Sequence, residues 1–591
     1  MRKIMNILMS TLNAKYIHTN LAMRLIKAYA RPEFEIDLIE YTIKDPTLQI
    51  VGDLYQLQPD VMLFSCYIWN VEQTFEVMTL LKKLLPNVII IIGGPEVSYD
   101  LEEWLRQSSA IDFIVVGEGE ATTKHLLAEI NGKKQYETVA GIAFRQGAEI
   151  VITPKRPKLD LNTIPSPYRF ATDLPHLSKR ITYIETSRGC PFNCQFCLSS
   201  TEAGVRYFDL QRMKDELRFL MKNGARVIKF LDRTFNTNPQ YAKEMLQFLI
   251  DEHTPNTVFQ FEITADIMPL ALIEFLNEKA PVGLFRFEIG VQSTHEETNL
   301  IIGRKQNFEK LTRVVKLIKK GGKITQHLDL IAGLPKEDYA TFSKTFNDVF
   351  ALRPEELQLG FLKMLRGTGL RQRGAEADYI YLDKPPYEIL QNNVLTFADV
   401  RRLKQVEDIL EKYWNAHRMD PTIEYLIGHA FETPFDFFQE FGTYWEACGW
   451  QRVGHQLEDL FKRLYQFLQA KQVKDIDIIL ALMKLDYFQL QKFKPRKIWW
   501  DHLLEKDVYS PYYQRLLAQP EILGTEFKRL NLSQKALYKH TAFEFLPFDY
   551  NAFKEKGVIE RGNWMILSYY SGKGELCTIF AAPVAAFESS L

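Results

Sequence analysis

Three of the chain's six cysteines fall between positions 190 and 197, and that clustering limits the fold more than any other feature. The run reads Glu185-Thr-Ser-Arg-Gly-Cys190-Pro-Phe-Asn-Cys194-Gln-Phe-Cys197 and follows an apolar strand-like stretch, ITYIETS. Gly189 and Pro191 force a loop there, in which three thiolates can converge. A structural zinc site normally closes with four ligands, and no fourth Cys or His is near in the sequence. Soft thiolates suit an iron–sulfur cluster, and three of them leave one iron of a cubane open to a small molecule.

The stretch beyond the triplet alternates strand-like and helical segments. Strand-like runs stand at 227–235, 259–266, 284–293, 324–335 and 355–365, which with ITYIETS makes six. Amphipathic stretches such as QRMKDELRFLMKNG and EKLTRVVKLIKKGG lie between them, the second closed by Gly321 and Gly322. Such alternation predicts parallel strands with crossover helices and active groups at the strands' C-terminal ends. Asp232, Glu262, Asp266, Gln292 and Ser293 are polar residues at such ends.

The cysteine spacing, with Phe196 just before the last thiol, resembles the radical S-adenosylmethionine (SAM) signature. That resemblance implies a partial (β/α)6 barrel over 181–370 and a 4Fe–4S cluster held by Cys190, Cys194 and Cys197. In that family the open iron binds the amino and carboxylate groups of SAM, which the reduced cluster cleaves to a 5′-deoxyadenosyl radical. It implies SAM contacts from Phe196 and from Asp232, at the place of the amino-group motif. Glu262 and Gln292 would face the ribose or carboxylate, and Ile331 to Leu334 would edge the adenine. Arg304 could grip the SAM carboxylate bidentately. It further implies an external one-electron reductant of the flavodoxin or ferredoxin type.

Residues 1–135 read as a separate α/β unit. Continuous apolar runs (IMNILMS, EIDLIEY, DVMLFSC, NVIIIIGG, IDFIVVGEGE) bounded by glycines predict a doubly wound, Rossmann-like parallel sheet with a crevice beyond its strand ends. The loops there hold Thr11, Asn13, Ser65, Tyr67 and Asn70, then Gly93, Gly94, Glu118 and Gly119. Gly-x-Gly-x-x-Gly is missing, so a dinucleotide is not expected. Ser65-Cys-Tyr67 and Gly93-Gly94 fall at nearly the intervals of a cobalamin-binding domain, and the unit resembles the N-terminal domain of cobalamin-binding radical SAM proteins. The resemblance implies that those nine loop residues contact cobalamin. Tyr16-Ile-His18 departs from the usual Asp-x-His-x-x-Gly, so the corrin is expected without a histidine below the cobalt.

Residues 136–180 predict a hairpin and a proline-punctuated tether, and 371–591 a mostly helical, aromatic-rich domain ending in a hairpin at Gly572 to Gly574. Lys+Arg 73 against Asp+Glu 74 gives no general field for polyanions, so nucleic acid is not implied. No signal peptide and no apolar run long enough for a membrane span is expected, which suggests a cytoplasmic protein. The expected activity is cobalamin-dependent methylation of an unactivated carbon by a radical SAM enzyme. The alternatives are a non-methylating rearrangement or cyclisation with the same cofactors, and a non-catalytic cobalamin or redox sensor. A methylthiotransferase fits less well, since only Cys66 precedes the triplet.

Overall fold

Ile90, Ile91 and Ile92 are all buried, as a strand covered on both faces requires. They belong to the fourth strand of a seven-stranded sheet, seen in a computed structural model that describes residues 5–201, 204–500 and 506–585. The chain separates into two compact units, Met1–Val400 and Arg401–Leu591.

The strands of the first sheet are β1 (Ile7–Asn13), β2 (Ile36–Thr42), β3 (Val61–Ser65), β4 (Ile89–Gly93), β5 (Phe113–Val115), β6 (Ile142–Gln146) and β7 (Glu149–Ile152). Their order is β2-β1-β3-β4-β5-β6-β7, with the first five parallel and the last two antiparallel. Helices α1 (Leu21–Ala30) and α5 (Gly119–Asn131) cover one face through Met23, Leu126 and Ile130. The other is covered by α2 (Thr47–Gln56), α3 (Val71–Leu84) and α4 (Leu101–Gln107) through Leu54, Met78 and Trp104. Each fully buried branched side chain here contributes roughly 1.5–3 kcal/mol. This is the doubly wound arrangement expected. The hairpin placed in the tether is instead part of the sheet, because Phe113 pairs with Phe144 and extends it past β5.

Six parallel strands form the second sheet: β8 (Ile181–Ile184), β9 (Val227–Phe230), β10 (Val258–Ile263), β11 (Phe285–Gln292), β12 (Thr325–Ala332) and β13 (Glu356–Phe361), in sequence order. Between them run α6 (Leu210–Lys222), α7 (Pro239–Glu252), α8 (Leu270–Lys279), α9 (Phe308–Gly321) and α10 (Tyr339–Phe350). Gly322 closes α9 in the left-handed region at φ +63°, as a C-terminal glycine does. In β11 the phenylalanines and isoleucine of FRFEIGVQ are buried, while Arg286, Glu288 and Gln292 on the alternate face are only half-buried. The same alternation holds in β9, β10 and β12. Lys229 on β9 pairs with Glu288 on β11 at 2.7 Å, and Arg286 on β11 with Glu356 on β13 at 2.5 Å. Each pair skips a strand, so this face is the concave one, and it lines a polar lumen. Residues 371–400, expected in the C-terminal domain, lie in the first unit.

The second unit is mostly helical. It holds α11 (Asp420–His429), α12 (Pro434–Ala447), α13 (Leu457–Ala470) and α14 (Ile476–Leu490), and an antiparallel sheet of β14 (Thr541–Phe548), β15 (Arg561–Tyr569) and β16 (Thr578–Pro583). Strands β15 and β16 form the expected final hairpin. Glu544 is buried and accepts from Trp500 Nε1 at 2.7 Å, with Lys484 at 3.3 Å. Among the described residues, no helix is long and apolar enough to cross a membrane.

Candidate functional site

The loop carrying the three cysteines follows β8 and is pinned from several sides. Ser187 and Arg188 pair antiparallel with Tyr207 and Arg206. Gln195 N–H donates to the Ile302 carbonyl at 2.8 Å, and Leu370 N–H donates to the Gln195 carbonyl at 2.9 Å. Gly189 sits at φ +98°, and a Cβ there would stand 2.0 Å from the Gly204 oxygen, so only glycine allows this approach.

Cys194 is buried, and Cys190 and Cys197 are half-buried. Burial raises the Cys194 thiol above its usual value. Arg304 pulls it down, and Cys197 and Cys190 push it up, so the three sulfurs are near enough to sense one another. Among the described residues no three Cys, His, Asp or Glu side chains stand as the ligands of a single metal ion. Thiolates that each take a different iron of a cubane stand farther apart than the ligands of one ion. Three thiols on one pinned loop fit a cluster that leaves one iron open, whereas a closed zinc site takes four ligands.

Several expected SAM residues gather beside it. Phe196 and Ile331 pack against one apolar cluster that includes Ile302, Leu334, Leu362 and Met364. Gln292 ends β11 at φ +70°, strained for a non-glycine residue, and its Oε1 is buried without a hydrogen-bond partner. An orphaned acceptor on a strained strand end fits a ligand's hydroxyl or ammonium group. Arg304 Nη1 lies 3.8 Å from Cys194 Sγ, its Nη2 donates to the Gly290 carbonyl, and its Nε donates to Gln306. Its guanidinium thus leans on a cysteine instead of standing clear for a carboxylate.

Asp232 departs most from expectation. It is 1% exposed and accepts from Thr186 N–H at 2.9 Å, Thr186 Oγ1 at 2.6 Å and Ser187 Oγ at 2.6 Å. Both oxygens accept from the entry to the cysteine loop, so the carboxylate braces that loop. Glu262 is half-buried with its pKa raised by burial, while Arg233 and Lys229 pull it down. Asp266 accepts from Asn307 N–H, at the cap of α9.

The crevice of the first sheet is built by small groups bonded to one another. Ser65 Oγ donates to Thr11 Oγ1 at 2.7 Å, and Asn20 Nδ2 donates to both. Asn70 donates to the Leu12 and Ser65 carbonyls and accepts from Tyr67 N–H, which leaves its side chain fully engaged. Asn13 donates to Glu40 and to the His18 carbonyl. Gly93 and Gly94 bring the β4 loop against the β3 loop: Gly94 lies at φ +116°, and a Cβ would stand 2.5 Å from the Cys66 oxygen. Such a cradle of glycines and short hydroxyls fits a threaded nucleotide tail, with Asn13 and Asn70 shaping the loops instead of reaching outward. His18 Nδ1 is 2.7 Å from Tyr183 Oη. Burial, with Lys15, Lys229 and Arg180, lowers its pKa. It is oriented by a phenol and not a carboxylate.

Sequence reasoning missed the ties between the crevice and the cysteine loop. Arg188 pairs with Glu120 and with Glu185 at 2.6 Å, while Arg206 pairs with Glu118. Glu118 is thereby occupied, and Gly119 packs tightly at the start of α5, where a Cβ would meet Ile26 at 2.8 Å. On the other side Glu40 joins Arg24 at 2.8 Å and Arg180 at 2.5 Å. Burial works against that carboxylate, yet the two arginines hold its pKa at about 2. The charges in GEGE and in ETSRGC were the available signal. A cavity of about 910 Å³ lies elsewhere, bounded by Phe75, Trp104, Arg366 and Tyr387, and no cysteine-loop residue lines it.

Residues 8–127 match the family described as B12 binding domain, and 184–349 match the radical SAM superfamily. Residues 375–567 match a family described as protein of unknown function (DUF4080). The chain is 29% identical over 242 residues to the cobalamin-dependent radical SAM methyltransferase TokK of Streptomyces tokunonensis, covering 38% of this chain and 35% of TokK. It is 32% identical over 228 residues to the anaerobic magnesium-protoporphyrin IX monomethyl ester cyclase of Synechocystis sp., covering 37% and 44%. It thus spans about half or less of the curated relatives it matches, between 34% and 50% of the first three. The fold is shared with the cobalamin-dependent SAM radical enzyme OxsB solved with aqua-cobalamin and SAM, at TM-score 0.55 and 17% identity, covering 90% of this chain and 83% of OxsB. The chain thus joins a B12-binding domain to a radical SAM domain, and the three thiols stand in the first loop of the second.

Proposed function

We propose that the protein is a radical SAM enzyme that methylates an unactivated carbon of its substrate, with a 4Fe–4S cluster on Cys190, Cys194 and Cys197. The observation that carries this reading is the pair of ion-pair ties, Arg188–Glu120 and Arg206–Glu118, that fix the cysteine loop to the loop closing the cobalamin crevice. When bound, the cluster and SAM supply a carbon-centred radical, and cobalamin supplies a transferable methyl group.

The chain's own residues position these groups and exclude water. Gln292, Phe196, Ile331 and Leu334 would receive SAM, the last three as an apolar wall and Gln292 through its free oxygen. Ser65, Thr11, Tyr67, Gly93 and Gly94 would shape the cobalamin cradle. Glu262 faces the lumen, where it would meet SAM's hydroxyls or the substrate. No proton transfer is assigned to a side chain. An external reductant would deliver one electron.

The test is anaerobic purification from cells supplied with cobalamin, followed by assay of corrin, iron and 5′-deoxyadenosine with methyl-deuterated SAM. Stoichiometric corrin, about four irons per chain and a product carrying the label support the reading. Corrin and SAM cleavage with an unlabelled product would favour the second reading, a non-methylating radical reaction. The similarity to a protein named as a cyclase favours that alternative.

A further inference from the structure

The loop that follows β12 is braced by side chains from beyond the barrel. Gly333 leaves that strand in the left-handed region at φ +93°. Its carbonyl accepts from Tyr379 Oη at 3.1 Å and from Asn392 Nδ2 at 3.2 Å, donors 46 and 59 residues downstream. Both acceptor positions of that oxygen are thus filled. A Cβ on Gly333 would stand 2.9 Å from Ile389 Cδ1, so Ile389 packs directly on the bare glycine.

The two donors are themselves held. Tyr379 packs against the apolar cluster that takes in Phe196, Ile331 and Leu334. Asn392 is buried, and its Oδ1 accepts from the Val394 and Leu395 N–H groups at 3.0 and 2.8 Å. Between them Ile380–Tyr381 and Ile389–Gln391 form a short antiparallel pair. Ile389 N–H donates to the Leu362 carbonyl, just past β13, at 2.9 Å. Tyr379, Ile389 and Asn392 therefore form one frame fastened to the end of the barrel. The Gly333–Leu334 peptide is trans, so its carbonyl and its N–H point opposite ways, and the frame sets the direction of both. All three residues fall at the start of the 375–567 match to a family of unknown function, in the part that belongs to the first unit.

We infer that Tyr379 and Asn392 are positioning residues for SAM. They fix the Gly333–Leu334 peptide at the edge that would meet the adenine, so the opening stretch of the region of unknown function completes the SAM site. This rests on the radical SAM reading above and deepens it. Loss of either donor should weaken the hold on the adenosine end and leave the binding of the amino and carboxylate groups unchanged.

The test uses the full chain with its cluster reconstituted anaerobically, as wild type, Tyr379→Phe and Asn392→Asp. Tyr379→Phe removes one hydroxyl. Asn392→Asp keeps the oxygen that caps Val394 and Leu395 and sets a second acceptor against the Gly333 carbonyl. The reduced cluster is titrated with SAM and, separately, with methionine, which carries an amino and a carboxylate group but no adenine. Its electron paramagnetic resonance signal reports both. Each variant should bind SAM about fivefold more weakly or worse, the worth of one hydrogen bond, with methionine affinity and iron content equal to wild type. Unchanged SAM affinity in both variants, equal weakening of SAM and methionine, or loss of iron in Tyr379→Phe would each overturn the assignment. The last two would mark a brace that serves the fold alone. A wild type that holds iron but answers neither ligand would sink the radical SAM reading, and this inference with it. SAM cleavage without methyl transfer would sink the methylation reading alone and leave the positioning role standing.

Discussion

Arg188, two residues before Cys190, donates to Glu120 at the start of the helix that closes the cobalamin crevice. The same guanidinium donates to Glu185 at 2.8 and 2.6 Å, so one side chain fixes the strand end, the cysteine loop and the neighbouring sheet. Desolvation opposes its charge, yet Glu185 and Glu120 raise its pKa far above the ordinary arginine value.

Removing one partner strands a buried charge, which typically costs about 3–5 kcal/mol. Arg188→Met should lower iron content on reconstitution and corrin retention together, although Arg188 touches neither thiol nor crevice floor. Glu120→Gln should do the same more mildly. Iron and corrin assays on both variants check this, and loss of iron alone would confine Arg188 to the cysteine loop.

Asp232 gives a second separable outcome. Its three accepted hydrogen bonds come from the loop entry, and an amide nitrogen in place of either oxygen would face a donor. Asp232→Asn should therefore be about as damaging as Asp232→Ala, losing roughly 1–3 kcal/mol per orphaned donor. Iron content should fall before SAM affinity is measured at all. Normal iron with weakened SAM binding would restore the direct SAM contact.

The sheets were legible in the sequence because period-two alternation and continuous apolar runs map directly onto strands such as FRFEIGVQ and IIIIG. The cysteine loop was legible because its chemistry lies in one short segment. What could not be read were bonds made over long separations. Arg188 and Glu120 are 68 residues apart, and Asp232 and Thr186 are 46 apart. The bonds of Asp232 to the cysteine-loop entry and of Glu118 to Arg206 therefore left no mark in the local sequence. The hairpin expected within 136–180 could not be assigned to the first sheet, because an antiparallel edge strand leaves no mark of which sheet it will join.

Gly94 tests the cobalamin cradle directly. At φ +116° an alanine is strained, and its Cβ would lie 2.5 Å from the Cys66 carbonyl, so the β3 and β4 loops would have to part. Strain of this kind costs about 1–3 kcal/mol. Gly94→Ala should abolish or sharply reduce corrin binding while iron loading persists, because the cysteine loop is pinned by other residues. Unchanged corrin content would remove this loop from the cradle.

Glu337 carries a pH dependence of definite sign. It is buried where β12 leads into α10, and its Oε1 accepts from Ser293 Oγ and Thr345 Oγ1, both at 2.6 Å. Burial raises its pKa from 4.5 to about 7, against the pull of those two hydroxyls. The folded state therefore binds the proton more tightly than the unfolded chain. Its contribution is full below about pH 4.5, declines as pH rises and is gone above about 7, on the order of 3 kcal/mol across the window. Glu337→Gln keeps the oxygen that accepts from both hydroxyls and has no proton to lose. The midpoint of thermal unfolding of the first unit should fall between about pH 5 and 7.5 in wild type by more than in Glu337→Gln. Equal pH slopes in the two proteins would mean that Glu337 ionises at its ordinary value in the fold.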